Sequence, residues 1–180
     1  YPAIPAAQES RGLGDVYKRQ YLSVFSKFPF GERIDTDYPF FLGGSEIIIH
    51  GIKMRFLSNW FHYLPWNNEP EKMGKTAEEL LEWEKTEHRY SMIQKVLPYF
   101  EKYASQSDLI PVIVGGDMNS PSHLDWSKKT KKIHNNLVVP WYATKIFEDI
   151  GFSDSFRVLM SCSDSLLFND LLYIFSIFLK

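Results

Sequence analysis

Apolar and polar positions divide the chain into short extended runs, a long helical stretch, and a second passage of strand, loop and helix. Leu22 to Phe25, Glu46 to His50 and Ile52 to Leu57 are short runs rich in β-branched and aromatic side chains, the pattern of strands. The latter two flank Gly51, which predicts an antiparallel pair turning there. After Tyr63 a Pro/Asn-rich loop leads to Thr-Ala-Glu-Glu at Thr76 to Glu79, a capping box that opens a helix expected to run to about Tyr103. Leu80, Leu81, Trp83, Tyr90, Ile93, Val96, Leu97 and Phe100 recur at helical intervals and suit one face of a sheet. Pro98 is expected to kink or divide that helix. Val112 to Gly115 reads as the next strand, and Ala143 to Ile150, closed by Gly151, as another helix. Helix returning to buried strand makes the fold class α/β.

The strand at Val112 runs into Gly-Gly-Asp-Met-Asn-Ser-Pro-Ser-His-Leu-Asp-Trp, where the candidate chemistry lies. Extended residues alternate faces, so Asp117 and Asn119 share one face while Met118 turns into the core. A carboxylate can orient or deprotonate a water. A neutral carboxamide beside it can donate to a phosphate oxygen without adding negative charge. Together they suit hydrolysis of phosphate esters. Gly-Asp-x-Asn is also ordinary turn chemistry, because Asp and Asn side chains bond their own backbone, and these four residues alone leave both readings open.

In its setting, after a strand that follows a long helix, Gly-Asp-Met-Asn resembles the endonuclease/exonuclease/phosphatase (DNase I-like) superfamily; the resemblance covers roughly Tyr21 to Arg157. Leu-Ser-Val-Phe-Ser-Lys-Phe-Pro-Phe, from Leu22, looks like that family's strand ending in a Ser-Arg/Lys-aromatic-Pro turn. Met54 to Tyr63 looks like the strand carrying an Asn and, two residues later, a His. Here Asn59 is followed at that spacing by Phe61, and the histidine is His62, so either a bulge restores the register or the role is vacant. Phe147 to Arg157 looks like the helix and loop that follow the Gly-Asp-x-Asn strand. The resemblance implies a four-layer α/β/β/α sandwich with a mixed sheet and outer helices, present in part. It further implies a divalent-metal-dependent phosphoesterase using Mg²⁺ (or Mn²⁺), with Asp117, Asn119 and His62 catalytic and Asn59 near the substrate. The family's early metal-binding Glu and late Asp-His pair are not identifiable, and metal ligands stay unassigned.

The ends look foreign to that domain. Ser10 to Gln20 resembles a translated sequencing-library adapter, which sets residues 1–20 apart as non-native, leaves 21–157 as a partial domain, and makes 158–180 an uncertain apolar tail. Leu166 to Leu179 is interrupted by Asn169 and Asp170 and falls short of the roughly 18–20 apolar residues of a membrane helix, so no membrane span is expected. If a packing layer is missing, one sheet face is left apolar and open, and the chain is expected to aggregate.

Composition changes this picture little. With 180 residues, 44% hydrophobic, 16% aromatic and a net charge of −2, the chain can bury one core and names no charged partner. One cysteine, Cys162, excludes a disulfide framework and a Cys-based metal site.

Three further features have two readings each. His123 could donate to a phosphate oxygen or be a loop histidine, with Asp125 facing the pocket or capping a short turn. Trp126 and Trp141 could stack on a base or sugar or belong to the core. Lys128 to Lys132 could attract a phosphorylated substrate or be a solvated loop. The expected partner is a phosphate ester, with nucleic acid, phospholipid head group and inositol phosphate not distinguished. The competing class is a non-catalytic relative that keeps only the scaffold.

Overall fold

A computed structural model of the chain describes residues 16–19, 22–65, 69–160 and 176–179. Its centre is the pair β4 (Leu42–Ile49) and β5 (Ile52–Trp60), antiparallel and joined by His50 and Gly51, whose φ angles of 49° and 83° are both positive. Two left-handed residues make the tight hairpin whose twist matches the strands, and Gly51 supplies one of them without strain. The expected pair is therefore present, extended at both outer ends.

β3 (Phe30–Ile34) adds to the free edge of β4, antiparallel and with a register irregularity between Phe30 and Arg33. Its middle residues Gly31, Glu32 and Arg33 are exposed, as befits a polar edge strand. On the other side β6 (Val112–Asp117) lies parallel to β5, with Arg55 opposite Val112 and Trp60 opposite Asp117. Two short strands, β7 (Ser153–Asp154) and β8 (Ser176–Leu179), complete the order β3-β4-β5-β6-β8-β7. A separate hairpin, β1 (Val16–Arg19) with β2 (Leu22–Phe25), approaches β4 and β5. Of the two end segments singled out by sequence, β1, β8 and residues 158–160 fall within the described residues; Cys162 lies outside them.

The parallel β5–β6 pair requires a crossover, and the helical region supplies it as two helices, α1 (Ala77–Glu84) and α2 (His88–Ala104). The capping box forms as expected: Thr76 Oγ1 accepts from Glu79 N at 3.2 Å, and Glu79 Oε2 accepts from Thr76 N at 2.8 Å. The break does not fall at Pro98. Pro98 is exposed inside α2, and the carbonyl it leaves without a donor belongs to exposed Gln94, where water can serve. The chain parts instead at Lys85 to Glu87, between Glu84 and Arg89, two charged residues that are 1% and 0% exposed. α3 (Tyr142–Asp149) and α4 (Ser155–Met160) follow β6.

Residues directly opposite in a ladder share a face. Leu57, Val112, Val114 and Met118 thus form one apolar face, packed against Met92, Ile93, Val96 and Phe100 of α2 and Ala143 and Phe147 of α3. The other face carries Met54, Phe56, Trp60 and Ile113, all only half-buried. A second, smaller core joins Leu80, Trp126, Val139 and Trp141. The chain is a mixed α/β fold, and no helix among the described residues is long and apolar enough to cross a membrane.

Candidate functional site at the carboxyl ends of β5 and β6

β5 and β6 point the same way and end together, so the segments leaving them meet at one edge of the sheet. Ligand sites of open α/β sheets gather outside such ends. The ladder continues one step beyond the strands, with Phe61 N donating to Asp117 O at 2.8 Å.

Asp117 and Asn119 are brought together as expected, though not in an extended segment. Asn119 adopts φ 46°, a left-handed conformation that Asn tolerates, and the chain turns on it. Asp117 Oδ1 accepts from Asn119 N, and Asp117 Oδ2 from Asn119 Nδ2, both at 2.9 Å. Asn119 Nδ2 also donates to Phe61 O at 2.8 Å, which ties the β6 loop to the end of β5. Both carboxamide protons are thereby engaged, and a donor role toward phosphate requires one of these bonds to open. The Asp117 carboxylate has about four acceptor positions and uses two on Asn119, which leaves room for water. Burial lifts its pKa above the ordinary carboxylate value, opposed by the Asn119 bonds and by the charge of Arg89.

His62 lies on the same side of the sheet as Asp117. Its ring stands 5.8 Å from that of Trp60, which pairs with Asp117, and 4.9 Å from that of His88. Burial first, then the neighbouring His88 and Arg89, lower its pKa, which favours the neutral ring. Leu64 N donates to His62 Nδ1 at 3.0 Å, which places the proton of the neutral ring on Nε2.

Asn59 is placed elsewhere. The β5–β6 register from Arg55 to Trp60 runs without a bulge, so Asn59 and His62, three residues apart, project from opposite faces. Asn59 is 2% exposed on the helix-covered face, where its Nδ2 donates to Met118 Sδ at 3.2 Å and its Oδ1 has no hydrogen-bond partner among the described residues. It packs tightly over Gly116, where a Cβ would lie 2.8 Å from that Oδ1.

His123 and Trp126 are placed by their structural alternatives. His123 N and Nδ1 both meet Thr144 Oγ1 at 3.0 Å, and Nε2 meets Glu148 Oε2 at 2.8 Å, so the residue latches its loop to α3. Trp126 is 2% exposed, stacked on His134 at 4.1 Å and set edge-on to Trp141 at 5.4 Å. Asp125 meets Arg157, and Lys128, Lys129, Lys131 and Lys132 are exposed.

Two residues that the sequence did not single out organise the edge. Arg89 donates from Nε to His62 O at 3.0 Å and from Nη2 to Tyr63 O at 2.9 Å and Pro65 O at 2.8 Å. Glu84 accepts from Tyr142 N at 2.7 Å, from Ala143 N at 3.2 Å and from Ser120 Oγ at 3.2 Å. One signal could have found them: Arg89 is in helical phase with Met92, Ile93, Val96 and Phe100, and Glu84 stands four residues after Leu80, so each charge occupies a position of the apolar stripe.

Among the described residues no group of three or more His, Cys, Asp or Glu converges as a metal site. Asp117 is already bonded twice and Glu84 accepts from Ser120, Tyr142 and Ala143, so these residues do not by themselves fit the several oxygen ligands that Mg²⁺ takes.

No family model matches the sequence. An uncharacterized protein of Caenorhabditis elegans, F14F9.5, is 48% identical over 61 residues, covering 34% of this chain. The chain accordingly spans only 19% of the length of the curated relative it matches.

Proposed function

We propose that the chain belongs to a phosphate-ester hydrolase of the endonuclease/exonuclease/phosphatase type, with its reacting edge at Asp117, Asn119 and His62. The observation that carries this reading is the placement of a desolvated carboxylate, Asp117, at the carboxyl end of a parallel strand pair, with His62 in the segment that leaves the neighbouring strand. Asp117 orients the attacking water and draws its proton; burial raises the basicity that this step uses. Asn119 fixes the carboxylate, and His62 Nε2 donates to a phosphate oxygen as charge develops there. A divalent ion, Mg²⁺ or Mn²⁺, would have to find ligands beyond the described residues. The four-layer arrangement belongs to the same proposal: the half-buried apolar residues Met54, Phe56, Trp60 and Ile113 offer the face on which a second sheet would pack.

One observation favours the second reading, a scaffold without chemistry: each oxygen of Asp117 accepts from Asn119, and both amide protons of Asn119 are engaged, by Asp117 and by Phe61 O. Hydrolysis of bis-p-nitrophenyl phosphate by the intact protein, with Mg²⁺, Mn²⁺ or EDTA, separates the two. Asp117→Ala is expected to lower kcat by about 10²–10³. Equal rates for wild type and the Asp117→Ala and Asn119→Ala variants would remove these residues from any mechanism and leave the scaffold reading.

A further inference from the structure

The segment that carries His62 leaves the sheet with four successive carbonyls turned toward the first turn of α2. Arg89 takes all four: its backbone N donates to Leu64 O at 3.0 Å, and its guanidinium serves His62, Tyr63 and Pro65. Buried carbonyls without donors are costly, and a planar guanidinium with five fixed N–H groups can satisfy convergent acceptors where a lysine ammonium on a flexible stem cannot. Arg89 is 0% exposed, a position that burial makes expensive for a cation. Its negative surroundings are Glu84 on α1 and Asp117 on β6. The groups acting on His62 are His88, Arg89 and Glu87, and the cation acting on Asp117 is Arg89 itself.

We propose that Arg89 is a positioning residue: its hydrogen-bond fork fixes the His62 to Pro65 segment, which follows directly on Phe61, and Phe61 is itself bonded to Asp117 O and Asn119 Nδ2, so that one side chain couples that segment to the Asp117 turn. The functional part of this inference rests on the reading of Asp117 and His62 as a phosphoryl-transfer edge. The structural part does not, and can be measured without turnover. Burial lowers the guanidinium pKa only to about 10, so Arg89 is charged throughout the working range.

The experiment uses the full chain with Arg89→Met, which removes fork and charge, and Arg89→Lys, which keeps the charge and loses the fork. Three quantities are followed: the Asp117 carboxyl ¹³C titration, exchange of the Leu64 amide that donates to His62, and the pH profile of bis-p-nitrophenyl phosphate hydrolysis. In Arg89→Met, Asp117 is expected to titrate at higher pH than in wild type, and the acidic limb of the rate profile to move up with it. In Arg89→Lys, Asp117 should titrate as in wild type while Leu64 exchanges at least about tenfold faster, because the three fork bonds that fix its segment are lost. An unmoved Asp117 titration in Arg89→Met overturns the coupling. If that variant fails to fold, wild-type protection of Leu64 in Arg89→Lys overturns it instead. Shifts in both probes with no hydrolysis by the wild-type protein would reject the phosphoesterase reading and leave the coupling standing.

Discussion

Replacing Glu84 with alanine tests whether a single buried carboxylate joins the Asp117 loop to α3. Glu84 sits at the end of α1 and caps a helix 58 residues away, accepting the first two backbone N–H groups of α3 at 2.7 and 3.2 Å. Those donors have no partner inside their own helix. Alanine strands both. The Ala143 donor is buried and loses about 1–3 kcal/mol, and the Tyr142 donor, partly reachable by water, loses less. Ser120 can turn its hydroxyl to Pro121 O at 3.4 Å and adds little. Removing the side chain also leaves a cavity, while deleting a buried charge gives some stability back. The sum is about 3 kcal/mol. Glu84→Gln keeps one oxygen for Ala143 and loses the charge, and should cost about 1 kcal/mol. Urea unfolding followed by far-UV circular dichroism and tryptophan fluorescence measures both, with coincident transitions as the check on two-state behaviour. The pH dependence sharpens the test. Burial lifts the Glu84 pKa, so its contribution is fully present below the ordinary 4.5 and is lost as pH rises through the elevated value. Wild type should show that decline and Glu84→Gln should lack it. A Glu84→Ala loss below about 0.5 kcal/mol, or a Gln variant less stable than the Ala variant, would refute the capping argument.

Four further outcomes follow from the same geometry. Gly116→Ala places a Cβ 2.0 Å from Asn59 O, a backbone atom that cannot yield, and should destabilise by about 3 kcal/mol or more in a thermal melt, separating β5 from β6. Trp126→Ala should cost about 3–5 kcal/mol of stability, read by urea unfolding, because the ring is buried in the small core against Trp141 and under His134; a nearly neutral change would return Trp126 to the surface. Burial lowers the His123 pKa, so its contribution to stability is present above the ordinary 6.5 and is lost as pH falls through the lowered value; His123→Gln should flatten that acid limb in Tm measured against pH. Asn119→Gly keeps the left-handed backbone and drops the carboxamide, whereas Asn119→Ala loses both; if glycine restores hydrolysis as well as stability, the carboxamide serves only the turn.

Local signals carried much of the fold. Gly51 between two β-rich runs marked the hairpin, and Thr76 with Glu79 marked the start of α1, because both features are decided within four residues. The convergence of Asp117 and Asn119 was legible from the spacing of two, even though a turn at Asn119 rather than an extended strand produces it. The helix break was not legible. No glycine or proline marks Lys85 to Glu87, and the chain parts there where Glu84 must reach α3 and Arg89 must reach carbonyls 24 to 27 residues upstream. Pro98, the local breaker, is tolerated because the carbonyl it orphans is exposed. β3 escaped notice because Phe-Gly-Glu-Arg-Ile has one buried position, and an edge strand needs little apolar pattern. Asn59 shows the limit of motif reading: its distance from His62 was visible, but only the unbroken β5–β6 register decides that the two leave the sheet on opposite sides.

Glu84 and Arg89 flank one short break and reach opposite borders of the Asp117 loop. Glu84 holds Ser120 and the start of α3, and Arg89 holds the carbonyls from His62 to Pro65. As a device for stability this is a poor choice, since a buried charged pair is often matched or exceeded by apolar side chains of similar volume. What apolar side chains lack is direction. A guanidinium fork and a carboxylate each fix several backbone groups at set distances, and a chemically active loop needs its neighbours held to a fraction of an ångström. On this argument the two buried charges serve the geometry of the edge around Asp117 more than the free energy of folding. The Glu84→Gln and Arg89→Lys measurements read the two halves of that claim separately: each variant keeps most of the packing, so loss of order confined to the loop it borders supports positioning, and a uniform loss of stability across the fold refutes it.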